Sequence, residues 1–339
     1  MPKPERILII RPSALGDVCR SVPLAAAIRK HRPAAEIHWL VNAPFAPVLE
    51  SHPAIDKVIP FDRKSLGQQS SRLNLAPILG FLRSLRAHRY DTVIDAQGLA
   101  RSGLFAFATG AHLRIGHADA RELGWLGLNQ RVKPTPNQHT VDRMMSLLTP
   151  LGINEPEPDL RLYTTQADQQ WRETLPELTS PYIVFAPTSL WPGKRWPIDR
   201  FTELARTLSS QGQHIVVVGA PGEEPQCTQL TALAQESLPV IDLVGKTSIG
   251  QLLAVIEHAR LVLANDSAAL HMAVGFDKPI ISLFGPTRND LVGPYRRTDS
   301  VIQHITPEDR LSHKEEAAGR DLMERISLAE VQKRVESIL

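Results

Sequence analysis

The chain has 339 residues, of which 42% are hydrophobic and 22% charged, and its formal net charge is +2. That length exceeds what one hydrophobic core organises, and the near-neutral balance excludes a global attraction to nucleic acid. The two cysteines, Cys19 and Cys227, have no metal-ligand spacing and argue against a disulfide framework, which fits a reducing cytoplasm.

The apolar run near Met1 is too short for a signal peptide, and no segment approaches the roughly 18 apolar residues of a membrane helix. Arg6–Arg11 reads as a buried strand, and the turn Pro12–Asp17 leads into a helical pattern from Val18 to about Lys30. Strand-like runs follow at Ile37–Val41, Lys57–Pro60 and Thr92–Asp95, with helical patterns at Ile78–His88 and Leu99–Ala108. After Pro150 the chain turns proline-rich and acidic, and the stretch to Thr165 reads as an interdomain linker. A second alternating series begins with strand Tyr182–Ala186 and helix Ile198–Leu208. Strand His214–Gly219, helix Glu224–Glu236, strand Val240–Val244 and helix Ile249–His258 continue it. Leu261–Ala264, Ala268–Val274 and Ile280–Phe284 then form a strand–helix–strand unit. Thr298–Arg320 is polar and is expected to wrap the surface, and Leu328–Leu339 reads as a terminal helix. The alternation predicts an α/β protein of two doubly wound, Rossmann-like domains, residues 1–165 and 166–339, with a cleft between them. Ligands are then expected at the carboxyl ends of the strands.

Those strand ends carry the polar residues. Gly16 lets the first turn approach a ligand closely, and Asp17 supplies a carboxylate able to accept a hydroxyl proton or to cap the helix. Thr188, Ser189, Lys194 and Arg195 follow the strand Tyr182–Ala186, where hydroxyls and a lysine suit a diphosphate leaving group. Gly219 and Gly222 form a weak dinucleotide signal without the full glycine fingerprint. Asp266 and Ser267 precede a helix whose first N–H groups suit a phosphate, and His271 lies one turn on. Asp95 to Gly98, Arg121, Glu122, His139 and Arg143 are further polar candidates, and each of them reads equally as an ordinary surface group. From Phe61 to Tyr90 the chain holds six basic residues against one acid, Asp62; Arg63, Lys64 and Arg72, near the glycine- and serine-containing loop, are the better candidates to bind an anionic group, because a planar or charged donor suits carboxylate and phosphate. There is no metal-type His/Cys cluster, Walker A loop or nucleophile elbow.

Taken in order, four of these motifs resemble the bacterial ADP-heptose:lipopolysaccharide heptosyltransferases, glycosyltransferase family 9. They are Arg11 to Val18, Asp95 to Leu99, Lys194 to Pro197, and Asn265-Asp266-Ser267 with His271 and Phe284 to Thr287. The resemblance runs from about residue 6 to 295 and implies a GT-B fold. It implies inverting, metal-independent transfer of L-glycero-D-manno-heptose from the ADP-sugar to the Kdo-containing inner core of lipopolysaccharide, with no cofactor. It also implies an acceptor-binding first domain, a donor-binding second domain, and a terminal helix free to pack back on the first. On that basis Asp17 matches the general base. Thr188, Ser189, Lys194, Ser267, Ala268 and His271 match positions around the diphosphate. Asp266 matches a heptose contact, and Glu223 and Thr247 fall near the nucleoside. Ser13, Gly16, Gln97 and Arg121 join the acceptor side, and the Asp95 and Arg121 segments look closest to the type I enzyme. Ala268 departs from the family's usual glycine, which bears on the fine geometry of the donor site. The implied location is cytoplasmic, at the inner face of the inner membrane, where the acceptor is presented.

Two other classes of reading stand beside it. One is a GT-B enzyme or epimerase using another nucleotide sugar, or adding a later heptose. The other is a non-catalytic two-domain sugar-binding protein, against which the missing signal sequence and the acid–cation–hydroxyl turns count.

Overall fold

The computed structural model describes residues 3–62, 76–312 and 314–339. The chain divides into two compact units, Met1–Leu162 and Tyr163–Leu339.

In the first unit six parallel strands lie in the order β3-β2-β1-β4-β5-β6: β1 (Arg6–Ile10), β2 (Glu36–Asn42), β3 (Lys57–Phe61), β4 (Thr92–Asp95), β5 (Leu113–His117) and β6 (Gln130–Val132). Ile7, Leu8, Ile9 and Ile10 are all fully buried, as a strand covered on both faces requires. The helical stretch after β1 is two helices, Leu15–Ser21 and Pro23–His31. Pro23 explains the break, since it lacks an N–H and is tolerated only in a first turn.

The second unit repeats the plan with the order β12-β11-β10-β7-β8-β9. Its strands are β7 (Tyr182–Ala186), β8 (His214–Val217), β9 (Val240–Asp242), β10 (Leu261–Asn265), β11 (Ile280–Leu283) and β12 (Val301–Ile302). In each unit the first and fourth strands are neighbours, and the order of connection reverses between them. That switch point is where a doubly wound sheet opens at its carboxyl edge to receive a ligand.

The structure corrects one expectation here. Thr298–Arg320 is not all surface wrap: it supplies β12, and the helix Glu316–Glu324 buries Gly319, Leu322 and Met323. Gly319 meets Gly193 so closely that a Cβ on either would lie within 3.2 Å of the other's backbone. The terminal helix Leu328–Glu336 buries Val331 and Val335 in the core of its own unit, against β11 and the helix Ile198–Ser210. No helix among the described residues is long and apolar enough to cross a membrane.

Candidate active site

At the carboxyl edge of the first sheet, the turn after β1 and the turn after β4 are held together. Arg11 donates to the carbonyl of Ala96, and the Ser13 N–H donates to Gln97 Oε1 at 3.2 Å. Gly98 is left-handed (φ +69°), a conformation that suits glycine, and its carbonyl accepts from the Arg121 N–H at 2.9 Å. Ser13, Gln97 and Arg121 thus sit in turns after three neighbouring strands, β1, β4 and β5, and Gly16 lies in the first turn of the helix that follows β1. Arg63, Lys64 and Arg72 lie outside the described residues.

Asp17 is the third residue of the helix Leu15–Ser21, and its carboxylate accepts from the Ala14 N–H at 3.3 Å. It therefore does cap the helix, from inside rather than from the N-cap position. Arg11 reaches the same carboxylate at 2.8 Å, and Arg20 binds its other oxygen. Burial works to raise the Asp17 pKa; the charges of Arg11 and Arg20 overcome it and hold the group below the ordinary carboxylate range. Asp95 behaves oppositely. It is fully buried, and burial pushes its pKa up to about 6 even though it accepts from the Gln97 and Gly98 N–H groups and the Ser102 hydroxyl. Its place is to shape the turn that carries Gln97.

The motif reading overlooked His117, the last residue of β5. It is buried, and burial followed by the charge of Arg143 pushes its pKa down to about 4, so it is neutral at physiological pH. A glycine–histidine strand end offers no motif by which to find it. The other polar candidates have structural duties: Arg143 pairs with Asp119 at 2.6 Å, and His139 Nδ1 accepts from the Val141 N–H.

In the second unit the candidate donor residues occupy turns after four adjacent strands, β10, β7, β8 and β9. Lys194, in the turn after β7, pairs with Asp266, in the turn after β10, at 2.6 Å. Asn265 ties the same turns by donating to the Pro187 carbonyl at 2.6 Å and accepting from the Trp196 N–H at 3.2 Å. Thr188 and Ser189 are buried beside them. The Ser189 N–H donates to Gln226 Oε1, and Thr188 packs on Gly219, where a Cβ would come within 3.0 Å of its methyl. Glu223 is half-buried and accepts from the Ala220 N–H at 2.8 Å, which shapes the turn after β8. Thr247 is half-buried in the turn after β9, just before the helix Ile249–Glu257.

Ser267 is the N-cap of the helix Ala268–Gly275 but makes no side-chain cap bond, and its Oγ is buried without a protein partner. The first N–H groups of that helix, beginning at Ala268, lie with Ser267 at the end of β10, and His271 is buried one turn further on. A helix N-terminus, a hydroxyl with spare hydrogen-bonding capacity and a lysine form an anion-binding set. Among the described residues no three His, Cys, Asp or Glu side chains converge as a metal site would require.

Residues 78–320 match glycosyltransferase family 9 (heptosyltransferase). The chain belongs to that family and is a glycosyltransferase. It is 29% identical over 311 residues to lipopolysaccharide heptosyltransferase 1 of Escherichia coli K12, covering 88% of this chain and 93% of the relative. It is also 29% identical over 299 residues to lipopolysaccharide heptosyltransferase 3 of the same strain, covering 85% and 84%. Among solved structures, the E. coli heptosyltransferase WaaC, determined with ADP and with ADP-2-deoxy-2-fluoro heptose, superposes with TM-scores of 0.77 and 0.75. Both match at 26% identity over 98% of this chain and 100% of that one. The two sheets are those of the GT-B fold.

Proposed function

We propose that this glycosyltransferase moves L-glycero-D-manno-heptose from ADP-heptose to a hydroxyl of the Kdo-containing inner core of lipopolysaccharide, with inversion and without a metal. The observation that carries the reading is the grouping of Lys194, Asp266, Ser267 and a helix N-terminus at the switch point of the second sheet. The bond between the anomeric carbon and the diphosphate oxygen breaks, and ADP departs with added negative charge. Lys194, the hydroxyls of Thr188, Ser189 and Ser267, and the N–H groups from Ala268 onward stabilise that charge. His271 supports the same end of the helix, Asp266 receives the heptose, and Glu223 and Thr247 lie on the nucleoside side.

Asp17 takes the proton of the attacking hydroxyl. A carboxylate held below its ordinary pKa is a weak base, which is adequate here because the hydroxyl becomes acidic only as its oxygen bonds to the anomeric carbon. Ser13, Gly16, Gln97 and Arg121 serve the acceptor side, and Arg63, Lys64 and Arg72, outside the described residues, are proposed to bind the acceptor's anionic groups.

The equal identity to a type 1 and a type 3 relative keeps transfer of a later heptose as the second reading. Mass spectrometry separates the two. With ADP-heptose, an acceptor ending in Kdo gains one heptose under the first reading, and only an acceptor already bearing heptose gains mass under the second. Gain of mass from UDP- or GDP-sugars alone overturns both. Turnover within about twofold of normal after treatment with a chelator is expected, since protein donors replace the metal's role.

A further inference from the structure

The helix Ala100–Thr109 begins at Leu99, directly after the β4 turn that carries Gln97. On its outer side Leu104 and Phe107 are 48% and 61% exposed, beside Leu123 and Leu126 at 62% and 61%. The four side chains line one shallow groove together with Glu122. Large apolar side chains exposed singly are ordinary, but a contiguous group marks a surface that meets something apolar.

The backbone is built to hold this group outward. The turn Gly124–Gly127 lies so tightly on the helix that a Cβ on Gly103 would come within 2.2 Å of the Gly124 carbonyl oxygen, and one on Gly127 within 2.0 Å of the Gly103 oxygen. No side chain fits between the two elements, so the neighbouring leucines are turned to solvent. Glu122 and Leu123 are both left-handed, φ 54° and 62°, an unusual conformation for a bulky residue.

The segment that carries this face is basic. Between Ala100 and Lys133 the chain holds Arg101, Arg114, Arg121, Arg131 and Lys133 against only Asp119 and Glu122, and Asp119 is paired with Arg143. Arg114 lies over the Phe107 ring at 5.9 Å and Arg131 over Trp125 at 4.6 Å. Apolar side chains that project between cations match the boundary of a bilayer with anionic headgroups, where acyl chains receive the former and phosphates the latter.

We infer that the face formed by Leu104, Phe107, Leu123 and Leu126 docks on an anionic lipid bilayer, seating the first unit with the acceptor turns beside the membrane. The inference rests on the proposed lipopolysaccharide acceptor for its purpose alone, and vesicles without lipopolysaccharide test it independently of that reading.

The experiment is flotation of the full chain with vesicles of phosphatidylcholine, alone or with about 30% phosphatidylglycerol. Binding is expected to the anionic vesicles, weakening between about 50 mM and about 500 mM salt. Phe107→Ser with Leu126→Ser should lower partitioning at least about tenfold, because two large apolar groups leave the acyl region. Both side chains are exposed, so the melting temperature should hold. Arg131→Gln should weaken binding at low salt only. The inference is overturned if the wild-type chain does not float with anionic vesicles, or if the double variant floats equally well. It is also overturned if the double substitution abolishes a dimer while no vesicle binding occurs, which would make the face a contact between two copies.

Discussion

Lys194 Nζ donates to Asp266 Oδ2 at 2.6 Å across 72 residues of chain, with the two side chains 14% and 10% exposed. The pairing exists because β7 and β10 are neighbours and each ends in a turn at the same edge of the sheet. A lysine so placed is held by its partner in one position rather than swinging through solvent, and the carboxylate is oriented in turn.

Lys194→Ala is expected to lower turnover by about a hundredfold or more, the scale on which a preorganised charge-stabilising group acts. It also strands the Asp266 carboxylate, so the melting temperature should fall. Adding Asp266→Asn should restore the melting temperature and not the turnover. Recovery of turnover in the double variant would reduce Lys194 to a neutraliser of Asp266.

For Asp17, the Asn substitution should cost at least about a hundredfold in turnover with donor affinity little changed. A finer readout comes from Arg20→Met. Removing that cation lifts the Asp17 pKa toward its ordinary value, so the acid limb of kcat/KM against pH should move to higher pH. An unmoved limb would take Asp17 out of the base's role.

Asp95 sets a pH dependence of stability. Its folded pKa is about 6 against an ordinary 3.8, so its favourable contribution is complete below about pH 4 and is lost as pH rises through 6. Over that interval the loss amounts to about 3 kcal/mol. Asp95→Asn keeps an oxygen for the Gln97 and Gly98 N–H groups, so it should raise the melting temperature at pH 7.5 and change it little at pH 4. Parallel melting curves for variant and wild type across this range would refute the assignment.

Ser267 separates binding from folding. Its buried Oγ has no partner within the protein, so Ser267→Ala should leave the melting temperature unchanged or slightly raised. If the hydroxyl binds the diphosphate, donor affinity should fall about tenfold, as loss of a hydrogen bond to a charged group does. Calorimetric titration with ADP reads this directly, and unaltered affinity would exclude the hydroxyl from the site.

The alternation of strands and helices, and with it both parallel sheets, was legible because buried strands such as Ile7–Ile10 are continuous apolar runs. Short or polar strands were not. β6 and the two-residue β12 owe their place to neighbours that supply the ladder, and β5, Leu113–His117, is interrupted by Arg114. The helix Glu316–Glu324 looked like surface because Leu322 and Met323 are its only large apolar buried residues. The candidate residues could be named from their turns, but the Lys194–Asp266 pair and the two arginines on Asp17 depend on which strands adjoin. Leu104 and Phe107 read as part of an ordinary helical pattern, since the sequence does not say that three glycines draw a turn against the helix beside them.

The contact between Gly193 and Gly319 bears on the order in which this site is assembled during synthesis. The turn Pro192–Lys194 is translated more than a hundred residues before the helix that backs it. A nascent chain already holding Lys194, Asp266 and the helix Ala268–Gly275 still lacks the surface on which its lysine turn rests until the ribosome has delivered Gly319.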